Sequence, residues 1–115
     1  MQVNVREEEG VVVFDLEGRI VGHHSVELKE AIDQYVRGSA DAPKLLFNLS
    51  EVPMMDSSGL GTLLAAHVSV RRDGGRIGVI HVGDHIRNLL VMARIITVLE
   101  HFDSEAEAIE SLRSG

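Results

Sequence analysis

The chain has 115 residues, 44% of them hydrophobic, enough to build one compact core and too many for wholesale disorder. Its 11 Lys and Arg stand against 18 Asp and Glu, and a net charge of −7 makes the chain a poor candidate for wrapping nucleic acid and disfavours docking on an anionic membrane surface. The lack of any cysteine excludes a disulfide framework, a thiolate metal site and a cysteine nucleophile.

Val3 and Val5 alternate with polar neighbours, which predicts a half-buried first strand. Glu8-Glu9-Gly10 reads as a turn into a second strand over 11–16, with Val12, Phe14 and Leu16 on one face. So short a connection makes the two antiparallel. Residues 18–24 read as a loop holding Gly18 and Gly22. Ser25 is the expected N-cap of a helix over 26–37, whose stripe of Leu28, Ala31, Ile32, Tyr35 and Val36 has helical spacing. Residues 38–43 break the chain.

Residues 45–49, Leu-Leu-Phe-Asn-Leu, are almost continuously apolar, as suits a central strand covered on both faces. Pro53 interrupts the following loop. Asp56-Ser57-Ser58-Gly59-Leu60-Gly61 opens a second helix to about residue 72, with an expected inner stripe of Leu60, Leu63, Leu64, His67 and Val68. Gly74-Gly75 ends it. A fourth strand over 77–82 leads through Gly83-Asp84 into a third helix with Ile86, Leu89, Leu90 and Ala93 inward. Residues 96–99 read as a last edge strand. Ser104 and Glu107 have capping-box spacing before a final helix carrying Ala108, Ile109 and Leu112.

The order β-β-α-β-α-β-α-β-α predicts an α/β fold: one domain over 1–115, with a mixed, mostly parallel sheet of four to five strands and about four helices. No stretch approaches the roughly 20 apolar residues of a membrane span. The first residues lack the pattern of a signal peptide, so the sequon at Asn48-Leu49-Ser50 carries no weight and a soluble, cytoplasmic protein is expected. Three Phe and one Tyr are too few for a base-stacking platform.

Nucleotide, metal and hydrolase sites find little to stand on. No Gly-x-Gly-x-x-Gly occurs, and Gly59-Leu60-Gly61 lacks the lysine of a phosphate-binding loop. The six histidines have no ligand spacing: His23 and His24 are adjacent, His81 and His85 straddle a strand-to-helix change, and His67 and His101 are isolated. We expect His23 and His24 on a loop surface and His67 half-buried with one hydrogen bond. Ser57 and Ser58 precede a helix, but the nucleophile-elbow pattern is absent, and His67 sits roughly 13–15 Å along its own helix. No cofactor, metal or catalytic set is expected.

The hexapeptide starting at Asp56 is the informative feature. It caps a helix, yet an aspartate and two serines are more cap than one helix needs, and small residues leave its start open to a partner. In its place after the strand over 45–49 and the loop over 50–55, with Leu16-Glu17-Gly18-Arg19-Ile20 and Phe102-Asp103-Ser104-Glu105 in order, it resembles a STAS domain. More narrowly, the chain is similar to the bacterial anti-sigma-factor antagonists along essentially its whole length.

That resemblance implies a binding module and no enzyme. Such proteins bind an anti-sigma factor that is also a serine kinase of the histidine-kinase-like ATPase fold, which frees a sigma factor. The kinase then phosphorylates the serine after the motif aspartate, which ends binding, and a separate serine phosphatase resets the cycle. Carried onto this chain, Ser57 is the acceptor, and Asp56, Ser58, Gly59, Leu60 and Gly61 surround it as the recognition surface. Asn48 stands where the family often has Asp, and Val21-Gly22-His23-His24 replaces a more acidic loop; both are expected at the partner-facing end of the sheet. The alternative is a non-switching STAS adaptor of a transporter ATPase complex or a stress-signalling scaffold. Val91 and Met92, on the outer side of the third helix, are a candidate weak homodimer contact.

Overall fold

The structure is a computed structural model that describes residues 1–38 and 42–114. Its strands are β1 (Gln2–Glu8), β2 (Val11–Glu17), β3 (Lys44–Glu51), β4 (Arg76–Ile80) and β5 (Glu100–Phe102). Its helices are α1 (His24–Arg37), α2 (Ser57–Arg72), α3 (Asp84–Met92) and α4 (Glu105–Arg113). The strands form one sheet in the spatial order β1-β2-β3-β4-β5. β1 and β2 are antiparallel, and every other neighbour pair is parallel. The break expected over 38–43 falls largely on residues 39–41, outside the described residues.

β3 is central and has an apolar face on each side, which is why its sequence does not alternate. Phe47 and Leu45 join Phe14 and Leu16 of β2 in a large core with Leu28 and Ile32 of α1, Leu63 and Val70 of α2, and Ile86 and Leu90 of α3. Leu46 joins Val11, Val13 and Ile80 under Ala108, Ile109 and Leu112 of α4 on the other face. Three helices therefore cover one face of the sheet and α4 the other. Phe14 stacks on Phe47 at 5.1 Å between centroids and meets the edge of Tyr35 at 5.7 Å, so Tyr35 belongs to the stripe while its outer half stays exposed.

Several expected positions move. Residues 96–99 are not a strand: β5 starts one residue later, and Ile96 and Leu99 instead fill the large core beyond the sheet edge. The turn before them is made by Arg94 in the left-handed region at φ 61°. β4 stops at Ile80 because His81 sits at φ 58°, which an extended chain does not adopt. On α2 the inner face is Gly59, Thr62, Leu63, Ala66 and Val70, and Val68 is 57% exposed. Small residues, not large ones, face α1 there, so a stripe chosen by size is rotated off the true one. Ala93 is exposed at the C-cap of α3. Val91 and Met92 are exposed as expected, at 53% and 82%. Ser104 caps α4 by accepting from the Glu107 N–H at 3.1 Å.

Arg6 of β1 pins the α4 side. Its guanidinium donates to Asp15 at 2.6 Å and to Glu105 at the start of α4, and Asn48 donates to the same Asp15 at 2.9 Å. Arg76 likewise donates to Glu100 at 2.5 Å and to the Ser111 carbonyl at 2.6 Å. Hydrogen bonding to Arg6 holds the Asp15 and Glu105 carboxyls below their ordinary values of 3.8 and 4.5, and Arg76 does the same for Glu100. A depressed carboxyl contributes stability above its unfolded pKa and loses it as pH falls through the folded one. Arg6→Gln is therefore expected to lower the melting temperature at about pH 7 and to cost less at about pH 3, as falling pH begins to protonate the depressed Asp15 and Glu105 carboxyls and the pairing with Arg6 weakens. Equal losses in thermal melts at the two pH values would exclude this account.

Candidate partner-binding site at the start of the second helix

The loop after β2 and the loop after β3 continue the pairing of their strands past the sheet. Gly18 donates to the Glu51 carbonyl at 2.9 Å, Ile20 donates to Met54 at 3.1 Å, and Ile20 and Met55 form a parallel bridge. The Asp56 N–H then donates back to the Ile20 carbonyl at 3.3 Å. This stitching sets where α2 begins. It also brings the start of α1 alongside.

Asp56 is the N-cap of α2, with extended backbone at φ −102° and ψ −174°. Its Oδ1 accepts from the Ser58 N–H at 2.9 Å, the Gly59 N–H at 3.2 Å and the Ser58 hydroxyl at 2.5 Å. Its Oδ2 accepts from the Gly22 N–H at 3.2 Å. The Ser58 hydroxyl first, and then the backbone donors, hold the Asp56 carboxyl below the usual range. The cap thus satisfies two orphan donors of α2 and ties in the loop before α1.

Ser57 occupies the first helical position. It is exposed, and among the described residues its hydroxyl has no side-chain partner. Ser58 differs: its hydroxyl touches both Asp56 and, at 2.7 Å, the Ser25 hydroxyl. Thr62 Oγ1 donates toward the carbonyls of Ser58 at 3.1 Å and Ser25 at 3.3 Å, which locks the two helix starts together. Gly59 is buried; a Cβ there would lie 2.6 Å from Met55 Cγ and 2.7 Å from the Ile20 carbonyl oxygen. Leu60 is half-buried against the large core, and Gly61 is exposed with open space above it. The outer surface is therefore made by Ser57, Ser58 and Gly61, with Asp56 at its rim, while Gly59 shapes it from beneath.

Sequence reasoning misplaced Ser25 and missed Thr62. Ser25 is not an N-cap: α1 starts at His24 after His23, whose side chain makes no cap bond, and Ser25 is only 4% exposed. It spends its hydroxyl on the neighbouring helix instead. A small polar residue followed by Leu28 at helical spacing was compatible with either role. Asn48 lies on the α4 face against Asp15, whereas the loop over 21–24 lies beside Asp56; only the loop is at the site.

His23 is exposed and its ring centroid is 4.2 Å from that of His24, whose Nδ1 is 3.5 Å from Glu27 Oε2. Among the described residues these three groups can bring ligand atoms within 4.8 Å of one another. They sit at a helix N-terminus, whose positive end disfavours a cation. His67 is half-buried as expected, and among the described residues its Nδ1 has no partner. No described helix is long and apolar enough to cross a membrane.

Comparison with known proteins places this arrangement. The chain is 25% identical over 112 residues to an anti-sigma F factor antagonist of Paenibacillus polymyxa, spanning 97% of this chain and 95% of that one. An anti-sigma factor antagonist from Mycobacterium paratuberculosis superposes with a TM-score of 0.84 at 25% identity, covering 97% of this chain and 93% of that one. The Bacillus cell fate determinant SpoIIAA in its phosphorylated form shares the fold, with a TM-score of 0.75 at 20% identity over 96% and 98% of the two chains. The family described as the STAS domain matches residues 2–108, from β1 into α4 and through the whole of the site, and the chain belongs to that family.

Proposed function

We propose that this chain is an anti-sigma-factor antagonist controlled by phosphorylation of Ser57. As one cytoplasmic domain it binds an anti-sigma factor that is also a serine kinase, through the surface around Asp56, Ser57, Ser58, Leu60 and Gly61. Binding frees a sigma factor. Transfer of a phosphoryl group to Ser57 ends binding, and a serine phosphatase restores it. The chain itself performs no catalysis; ATP and its metal belong to the kinase.

The observation that carries this reading is the unequal use of the helix start. Asp56 and Ser58 are consumed by local hydrogen bonds, and Ser57 is left free at the first position of a finished helix. A phosphoserine brings about −1.5 to −2 charges. A helix N-terminus tolerates that charge, so the fold has no need to rearrange. The penalty falls on the partner: one charge about 4 Å from a partner carboxylate costs about 4 kcal/mol at an effective dielectric of about 20. At about 1.4 kcal/mol per tenfold, that is close to a thousandfold in affinity. The relatives named as antagonists agree with this reading.

The test is binding and phosphorylation with the anti-sigma serine kinase captured from the source cells. Ser57→Ala is expected to bind and to take no phosphate, and Ser57→Asp to bind more weakly than wild type but better than the phosphoprotein. Full phosphorylation of Ser57→Ala would exclude Ser57 as the acceptor, and capture of a transporter ATPase with no kinase would replace this reading with that of an adaptor.

A further inference from the structure

Two adjacent serines open α2, and they differ in their side-chain neighbours. Ser25, in the first turn of α1, is 4% exposed, and its Oγ lies 2.7 Å from Ser58 Oγ. Ser58 Oγ in turn lies 2.5 Å from Asp56 Oδ1. Each hydroxyl has one proton, and an ionised carboxylate can only accept. Asp56 already receives N–H donors from Gly22, Ser58 and Gly59, so its oxygens are acceptors and the Ser58 proton points to it. The proton in the Ser25–Ser58 contact is then that of Ser25. Ser58 Oγ has its proton committed on one side and a lone pair committed on the other, both from within the fold. Ser57 Oγ has neither commitment.

We propose that Ser25 is the positioning residue that selects the phosphoryl acceptor: by donating to Ser58 it holds the hydroxyl of that exposed residue against the start of α1 and leaves Ser57 as the hydroxyl a kinase can use. The inference rests on the kinase reading above. In the transfer, the bond between the γ-phosphorus of kinase-bound ATP and the β–γ bridging oxygen breaks. A bond from serine Oγ to that phosphorus forms. The hydroxyl proton passes to a base on the kinase, and ADP leaves with the electron pair. Ser58 would have to give up its donation to Asp56 to hand its proton to the kinase's base, and would have to pull away from Ser25 to reach the γ-phosphorus outside the helix pair. Ser57 gives up nothing. Thr62, bonded to both backbones, keeps the helix starts close enough for the Ser25 contact to persist.

The experiment is phosphorylation by the captured anti-sigma serine kinase with ATP, read by site-resolved mass spectrometry. Wild type is expected to carry phosphate on Ser57. Ser25→Ala is expected to raise the ratio of Ser58 to Ser57 phosphate roughly fivefold, the factor that one ordinary hydrogen bond carries. Ser25→Thr, which keeps the hydroxyl, is expected to return the wild-type ratio. Phosphate on Ser57 with an unchanged ratio in Ser25→Ala would overturn this inference and leave the kinase reading standing. Phosphate on neither serine of wild type would overturn both. Alanine is the best helix former, so Ser25→Ala is expected to fold. If it does not, Ser25→Cys, a far weaker donor, carries the same expectation. A second readout needs no kinase: a double-mutant cycle of Ser25→Ala and Ser58→Ala in urea unfolding is expected to show coupling, and additive effects would overturn the inference.

Discussion

Gly75→Ala is expected to cost about 3 kcal/mol or more of stability, the upper range of forced overpacking, and to leave little folded protein. The added Cβ would lie 1.9 Å from the Pro43 carbonyl oxygen and 2.8 Å from Val70 Cγ1. Neither can step aside. The Pro43 carbonyl accepts from the Arg76 N–H at 3.0 Å where β3 and β4 begin to pair, and Gly75 itself donates to the Val70 carbonyl at 2.8 Å to close α2. The clash is thus against backbone held by the sheet on one side and by the helix end on the other. Gly74 is the control. It sits at φ 81° with only the Ala42 Cβ at 3.8 Å, so alanine there meets backbone strain of about 1–2 kcal/mol and no collision. Urea unfolding of the two variants is expected to separate them clearly, and equal losses would contradict the close approach.

The second large effect is at Gly59, where alanine is expected to remove about 2–3 kcal/mol and to weaken partner binding together with stability. Its Cβ would meet Met55 Cγ at 2.6 Å, the Ile20 carbonyl oxygen at 2.7 Å and Ile20 Cγ2 at 2.8 Å. Met55 is itself buried in the large core, and the Ile20 carbonyl is held because it accepts from Asp56. Relief would come from lifting the start of α2, which displaces Ser57 from its place. Gly61, two residues on, has nothing within 4 Å. Gly61→Ala is expected to gain up to about 1 kcal/mol from helix propensity, and to lose binding if the partner seats closely on that surface. Urea melts paired with titration of the anti-sigma kinase decide the matter. A Gly59→Ala protein as stable as wild type would show that Ile20 and Asp56 do not fix the helix start.

Where hydrophobic period and chain order suffice, the sequence was legible. The antiparallel first pair, the doubly covered β3 and the Asp56 cap all follow from local pattern. What escaped depends on contacts far apart in the chain. Arg6, Asp15, Asn48 and Glu105 look like ordinary surface charge until the sheet and α4 bring them together. Ser25 looks like a cap because only the neighbouring helix reveals its other use. The face of α2 was misjudged because close helix packing prefers small side chains, and a reading by hydrophobic size favours Val68 over Gly59 and Ala66. At 96–99 the apolar run reads as a strand, whereas the same residues serve a core without pairing.

β1 and β5 are the two edges of the sheet, and β5 is three residues long. Unpaired edge groups invite a second chain to add its own strand, which is how folded proteins begin to aggregate. A three-residue edge gives such a strand too little to grip. The seven-residue β1 is the longer target, and it ends in Arg6-Glu7-Glu8. Arg6 is committed to Asp15 and Glu105, so the charges left at that end are acidic. A second copy approaching this edge at neutral pH would bring carboxylates against carboxylates. Resistance to association through this edge is therefore expected to depend on the acidic end of the first strand, and to weaken when Glu7 and Glu8 are neutralised.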